Sequence, residues 1–146
     1  MLLNFSKSKA LLENICGKSN SVSIGASGNC WLGLFTTAPS SSGTGGVEVS
    51  ASGNNYARVN IYNIMTATDR TIVNTSDINF NAAINPSDPS AQSGADWGSI
   101  VAFGLFQSAT GGSAYAWGTL DASVTVNTQN TLHFIAGDFE LTLDEA

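Results

Sequence analysis

The chain has 146 residues, the length of one domain, with 42% apolar residues and only 11% charged ones, against about 25% charge in an average soluble domain. Three Trp, three Tyr and seven Phe argue against a disordered chain, and five Lys plus Arg are too few to clothe a helical bundle. The net charge of −6 divides into +2 over the first 18 residues and −8 over the rest, which argues against nucleic acid as a partner, and no run of about 18 apolar residues suits a membrane helix.

The first twenty residues read as a short helical arm. Leu11 with Ile15 and Leu12 with Cys16 recur at i, i+4 and form one apolar stripe. Asn4 or Ser6 can cap its start and Gly17 its end. Leu2, Leu3 and Phe5 precede the stripe, and Lys7 and Lys9 make the arm basic. Those lysines, with Glu13 and Asn14, interrupt any signal-peptide pattern, so synthesis in a cytoplasm is expected. Cys16 and Cys30 have no metal spacing. A disulfide between them stays open, and the reading adopted is two small buried hydrophobes.

From Val22 the pattern changes to a period of two. Val22 and Ile24 alternate with serines, and residues 31–35 form a continuous apolar run, as in a strand covered on both faces. Residues 40–46 are a Ser/Gly loop, and Val47 and Val49 flank Glu48. Residues 56–64 read as one strand, with short strands at 71–73 and 78–80. Residues 85–96 hold two prolines and form a long loop. Trp97 opens the next strand, and 100–106 is again almost wholly apolar. Gly111 and Gly112 mark a hairpin. Strands follow at 115–120, around Val124 and Val126, and at 131–135 and 139–143 across Gly137 and Asp138.

Many short strands between Gly, Asn and Ser clusters predict an all-β fold: one antiparallel, jelly-roll-like β-sandwich over 21–146, with the helical arm over 1–20. Gly33, Gly98, Gly104 and Gly118 fall inside strands, where glycine marks bulges or close approach of neighbouring groups.

The residues for catalysis are few. His133 is the one histidine and sits mid-strand, and no G-x-S-x-G elbow marks a nucleophile. No catalytic residue, metal site or cofactor is therefore expected. Asn85, Asp88 and Asp96 share a loop with oxygen ligands of the calcium type, but no D-x-D-x-D run supports them. Trp31, Tyr56, Trp97, Tyr115 and Trp117 could build a sugar-stacking platform or fill the core. Core filling is preferred, with Trp97 the aromatic expected to be most open to solvent and the candidate glycan contact. Glu48 and Arg58 flank one Gly/Asn loop and form a candidate ion pair.

Several of these elements together resemble a known family. They are Thr37-Ala38-Pro39, a glycine loop, Glu48-Val49 and Tyr56-Ala57-Arg58. Trp97-Gly98, Phe103-Gly104-Leu105-Phe106, Gly111-Gly112, Trp117-Gly118-Thr119-Leu120 and Ala136-Gly137 follow. The pattern, over roughly 22–143, resembles small structural proteins of tailed bacteriophages of the tail-fibre-like and head-decoration-like kind. Gln107 departs from it, standing where an acidic residue often occurs, and the arm lies outside it.

The resemblance implies a non-enzymatic virion protein, made in the host cytoplasm and held by protein–protein contacts to other virion proteins. Capsid decoration, on the major capsid protein, ranks first because the chain is short and lacks a shaft repeat. A tail-fibre or collar component, on tail or neck proteins, ranks second. A carbohydrate-binding sandwich using Trp97 is the alternative of another class. Homo-oligomers are the default. The arm residues Leu2, Leu3, Phe5, Lys7, Lys9, Leu11, Leu12 and Ile15 are the expected partner contacts.

Overall fold

A computed structural model describes residues 2–3, 28–42, 44–68, 71–85, 87 and 95–142. Among these the protein is all-β, with one 3₁₀ turn at Tyr62–Ile64 and no α-helix. The stretch expected to form the helix, and the strand around Val22 and Ile24, lie outside the described residues. None of the described helical residues is part of a segment long and apolar enough to cross a membrane.

The eleven strands are β1 (Leu2–Leu3), β2 (Trp31–Thr37), β3 (Val47–Glu48), β4 (Val59–Asn60), β5 (Met65–Thr68), β6 (Thr71–Asn74), β7 (Ile78–Asn79), β8 (Gly98–Phe106), β9 (Ala116–Val126), β10 (His133–Phe134) and β11 (Glu140–Thr142). They form three antiparallel sheets. The main one has the order β1-β9-β8-β2-β3, and β4 also pairs with β2. A two-stranded sheet joins β10 to β7, and a three-stranded sheet runs β11-β6-β5.

The apolar runs of β2 and β8 lie side by side at the centre of the main sheet, with Leu32 opposite Leu105 and Leu34 opposite Phe103. Strands flanked on both sides and covered on both faces need no alternation, which is why WLGLF and IVAFGLF read as unbroken apolar runs. β8 and β9 form a hairpin whose connection contains Gly111 and Gly112, both at positive φ. Between Ile100 and Ala102, β9 advances from Val124 to Thr119 while β8 advances only two residues. The surplus residues of β9 bulge outward, and residues 121–125 are exposed.

One face of the main sheet carries Leu32, Leu34, Phe103, Leu105 and Ala116, which join Ile78 and Phe80, Leu132, Phe139 and Leu141 in a single buried cluster. The two smaller sheets therefore contribute the other side of the core. The opposite face carries Phe35, Ala102, Phe106 and Ala114, with Trp31, Ala38 and Val101 packed against them.

The strand expected over 56–64 is shorter than its pattern. Only Val59–Asn60 pairs with β2. The Asn60 side chain then accepts the Tyr62 N–H at 3.0 Å and starts the 3₁₀ turn, an interaction that competes with a continued ladder.

Asn74, at the end of β6, is 1% exposed and fully bonded. Its amide donates to the carbonyls of Ser76 at 2.9 Å and Ile135 at 2.8 Å. Its oxygen accepts the N–H of Gly137 at 3.2 Å and of Phe139 at 2.9 Å. One side chain thus fixes the turn between β10 and β11, where Gly137 takes a φ of 92°.

Candidate functional site

The main polar construction in the described part of the molecule sits where β3, the approach to β4 and the β8–β9 connection converge. Glu48 lies opposite Phe35 on β2. Antiparallel partners project to the same face, so its carboxylate reaches the Phe35–Phe106 side of the sheet. Arg58 arrives there from the segment before β4. Its Nε donates to Glu48 Oε1 at 2.7 Å and its Nη2 to Glu48 Oε2 at 2.6 Å, a bidentate pair. Nη1 donates to the carbonyls of Ser108 at 2.9 Å and Gly111 at 2.8 Å. The guanidinium also lies over the Phe106 ring, with Cζ 3.3 Å from the ring centroid.

Tyr56 completes the arrangement from the other side. Its hydroxyl donates to Glu48 Oε1 at 2.9 Å and accepts the Leu34 N–H at 2.8 Å. Burial, reinforced by the negative charge of Glu48, pushes the Tyr56 hydroxyl well above its ordinary ionisation range, so it stays a neutral donor. The Arg58 side chain is 4% exposed and that of Glu48 25%. This is a largely desolvated clasp, not the surface pair of small worth that a Glu–Arg match ordinarily implies.

Glycine makes room for it. A Cβ on Gly33 would stand 2.7 Å from Phe106 Cε2 and 2.9 Å from Glu48 Oε1. On Gly104 it would stand 2.5 Å from Phe35 Cε2. The Phe35 and Phe106 rings, 6.0 Å apart and stacked, lie across these bare backbone positions. Gly33, Gly104 and Gly118 thus let side chains, rather than a second backbone, approach closely, whereas Gly98 stands in open space and serves a backbone φ of 81°.

The clasp has no free nucleophile or base, and four of the five Arg58 N–H groups are bonded to protein. The clasp ties β3, the approach to β4 and the β8–β9 connection together beneath the exposed residues 107–113.

Other candidates stand as follows. Trp97 was expected to be open to solvent, but it is 3% exposed. Its ring stands edge-on to Tyr56 at 5.3 Å and Phe80 at 6.2 Å, and its indole donates to the Asn54 carbonyl at 2.9 Å. The polar loop before it ends at Ala95, which is itself buried, so the chain has already entered the core. Trp97 therefore presents no face on which a sugar could stack.

His133 is exposed on β10. Asp96 accepts from the backbone N–H of Thr128 and, at 2.7 Å, from its hydroxyl, and these bonds hold its carboxyl below the usual range. Among the described residues no group of three His, Cys, Asp or Glu side chains is placed to hold a metal ion. Asp88 lies outside the described residues. Cys30 is a free thiol, 3.3 Å from the Tyr115 hydroxyl.

Of the arm, only Leu2 and Leu3 are described. They pair with Trp117 and Ala116 of the chain's own β9. Phe5, Lys7, Lys9, Leu11, Leu12 and Ile15 lie outside the described residues. Sequence reasoning missed Tyr56 as the third member of the clasp. Its signal was a phenol two residues before a lone arginine. It also missed Asn74, whose signal was an amide ending the apolar run Ile72-Val73.

No curated protein matches the chain. A scan against family models matches residues 6–142 to the family described as podophage GP4 fiber I protein gp80. That span starts well before residue 22, where the resemblance was drawn, and takes in Glu48, Tyr56, Arg58 and every glycine of the main sheet. The chain belongs to this family and is a small structural component of a tailed-phage virion.

Proposed function

We propose that the chain is a non-enzymatic fibre component of the virion, present in many copies and held by protein–protein contacts. The observation that carries this reading is the family match over 6–142, whose description names a fibre protein. It supports the fibre reading, which the sequence alone placed second to capsid decoration.

The fold supports a load-bearing part. We read it as a sandwich, with the main sheet as one layer and the two small sheets as the other, because a single buried cluster joins them. The polar groups of the clasp and of Asn74 are spent on internal bonds.

The arm residues supply the partner contact. Leu2, Leu3, Phe5, Leu11, Leu12 and Ile15 offer apolar surface, and Lys7 and Lys9 offer charge complementary to the acidic body of a neighbour. Repetition over many copies multiplies a weak contact.

Gold-labelled antibody on intact particles tests the assignment. Label on fibres is expected, and label spread evenly over the shell would overturn it in favour of decoration. Deleting residues 1–18 should leave a β-rich protein that no longer joins the particle. Full incorporation of the truncated chain would refute the role of the arm.

A further inference from the structure

We propose that β1 is an exchangeable strand: in the assembled protein, Leu2–Leu3 of one copy occupy the edge of β9 in a second copy. This deepens the multicopy reading above and rests on it. The site is the edge of β9 at Ala116 and Trp117, where β1 pairs antiparallel in the single chain.

Three observations carry the inference. The first is the size of the ladder. β9 spans eleven residues, and among the described residues β1 pairs with it at Ala116 and Trp117. A ladder of two residues is the kind of contact that opens first.

The second is topology. β1 and β2 are successive among the described strands but lie on opposite sides of the β9–β8 pair. Three strand spacings, about 14 Å, separate them. Residues 4–30 connect them, and a chain of that length reaches about 90 Å when extended. The connection is long enough to deliver β1 to the edge of a neighbour without moving the sheet to which β2 belongs. The contacts made in the slot are the same whichever copy supplies the strand, so exchange replaces one pairing with an identical one.

The third is charge. The segment that follows β1 contributes to the +2 of the first 18 residues, and the remainder carries −8. Bare bodies repel one another, and a basic segment laid across the next body offsets that repulsion. The pairing gives direction as well as attraction, since main-chain hydrogen bonds on an open edge fix the register of an incoming strand.

A disulfide reports the donor of the strand. Leu3 and Ala116 are opposed, and opposed antiparallel residues have a Cα separation within the range a disulfide spans. In full-length chains carrying Cys16→Ser and Cys30→Ser, Leu3→Cys is placed on a tagged population and Ala116→Cys on an untagged one. The two are mixed, assembled and oxidised. A disulfide-linked pair of one tagged and one untagged chain is expected.

If the two populations never link, while a chain carrying both cysteines closes on itself within an oligomer, exchange is refuted and the multicopy reading stands. If wild-type chains remain single at every concentration and in the particle, both fail together.

A second variant guards against a misfolded Ala116→Cys. Leu2→Pro with Leu3→Pro removes both N–H groups of β1 without touching β9. It should lower the assembled fraction at least tenfold and leave the β-sheet circular dichroism unchanged. Unchanged assembly would overturn the proposal.

Discussion

The guanidinium of Arg58 meets a carboxylate at its edge and a ring at its face: it grips both oxygens of Glu48 and lies over Phe106, with Cζ 3.3 Å from the ring centroid. A cation so little exposed depends on its partner. Glu48→Ala should therefore destabilise the protein by about 3 kcal/mol, read from the urea midpoint, because it leaves Arg58 desolvated and unpaired. Replacing both residues, Glu48→Leu with Arg58→Met, should cost much less than Glu48→Ala alone. A double variant no better than the single one would mean that the carbonyl contacts of Ser108 and Gly111, not the charge pair, dominate.

Asn74 offers a separate test at the other end of the molecule. Asn74→Ala removes the side-chain partner of the Phe139 N–H and of the Ser76 and Ile135 carbonyls, while the Gly137 N–H keeps its bond to the Asn74 main-chain carbonyl, and should cost about 1–3 kcal/mol. Amide exchange at Gly137 and Phe139 should accelerate before exchange in β2 and β8 does. Uniform acceleration throughout the chain would show that the turn has no stability of its own.

Crowding over the main sheet predicts an overpacking effect. Gly104→Ala should destabilise by about 1–3 kcal/mol, since its methyl would enter the Phe35 ring. Phe35→Leu added to Gly104→Ala should recover part of the loss. A neutral Gly104→Ala would mean that the ring moves freely aside.

Alkaline pH should weaken the fold. Burial raises the Cys30 thiol above its usual 9.0, and burial raises the hydroxyls of Tyr56 and Tyr115 above their usual 10.0. Each group keeps its proton when folded and loses it more easily when unfolded. The stability they contribute is complete below pH 9 and falls as pH rises through the ordinary range of each group toward its folded value. Thermal midpoints from pH 7 to 11 should show a plateau and then a decline. Cys30→Ser should remove the earliest part of that decline.

Much of this was legible in the sequence, for identifiable reasons. Trp31 to Phe35 and Ile100 to Phe106 announced central strands because burial on both faces suppresses alternation. Glu48 and Arg58 stood out because cations are scarce and both border one loop. What escaped was set by distant partners. Tyr56 joins the clasp only because β2 brings the Leu34 N–H to it. Trp97 follows a polar loop, which says nothing of where its ring turns. The strand expected over 56–64 broke at Asn60 because a local side-chain bond outcompeted the ladder. The division into one large and two small sheets depends on pairings between residues as far apart as Thr71 and Thr142, which no local pattern encodes.

The pairing of β2 with β8 has a consequence for how the protein is made. The residues 31–35 leave the ribosome long before 102–106, their partners in the sheet. At about 5–20 residues per second, β2 waits roughly 3–14 s for its long central neighbour. During that interval WLGLF, an uncharged segment of high β-propensity, has only the two-residue strands β3 and β4 to pair with. In an infected cell making many copies at once, the abundance of this protein should depend on chaperone supply more than on the stability of the finished fold.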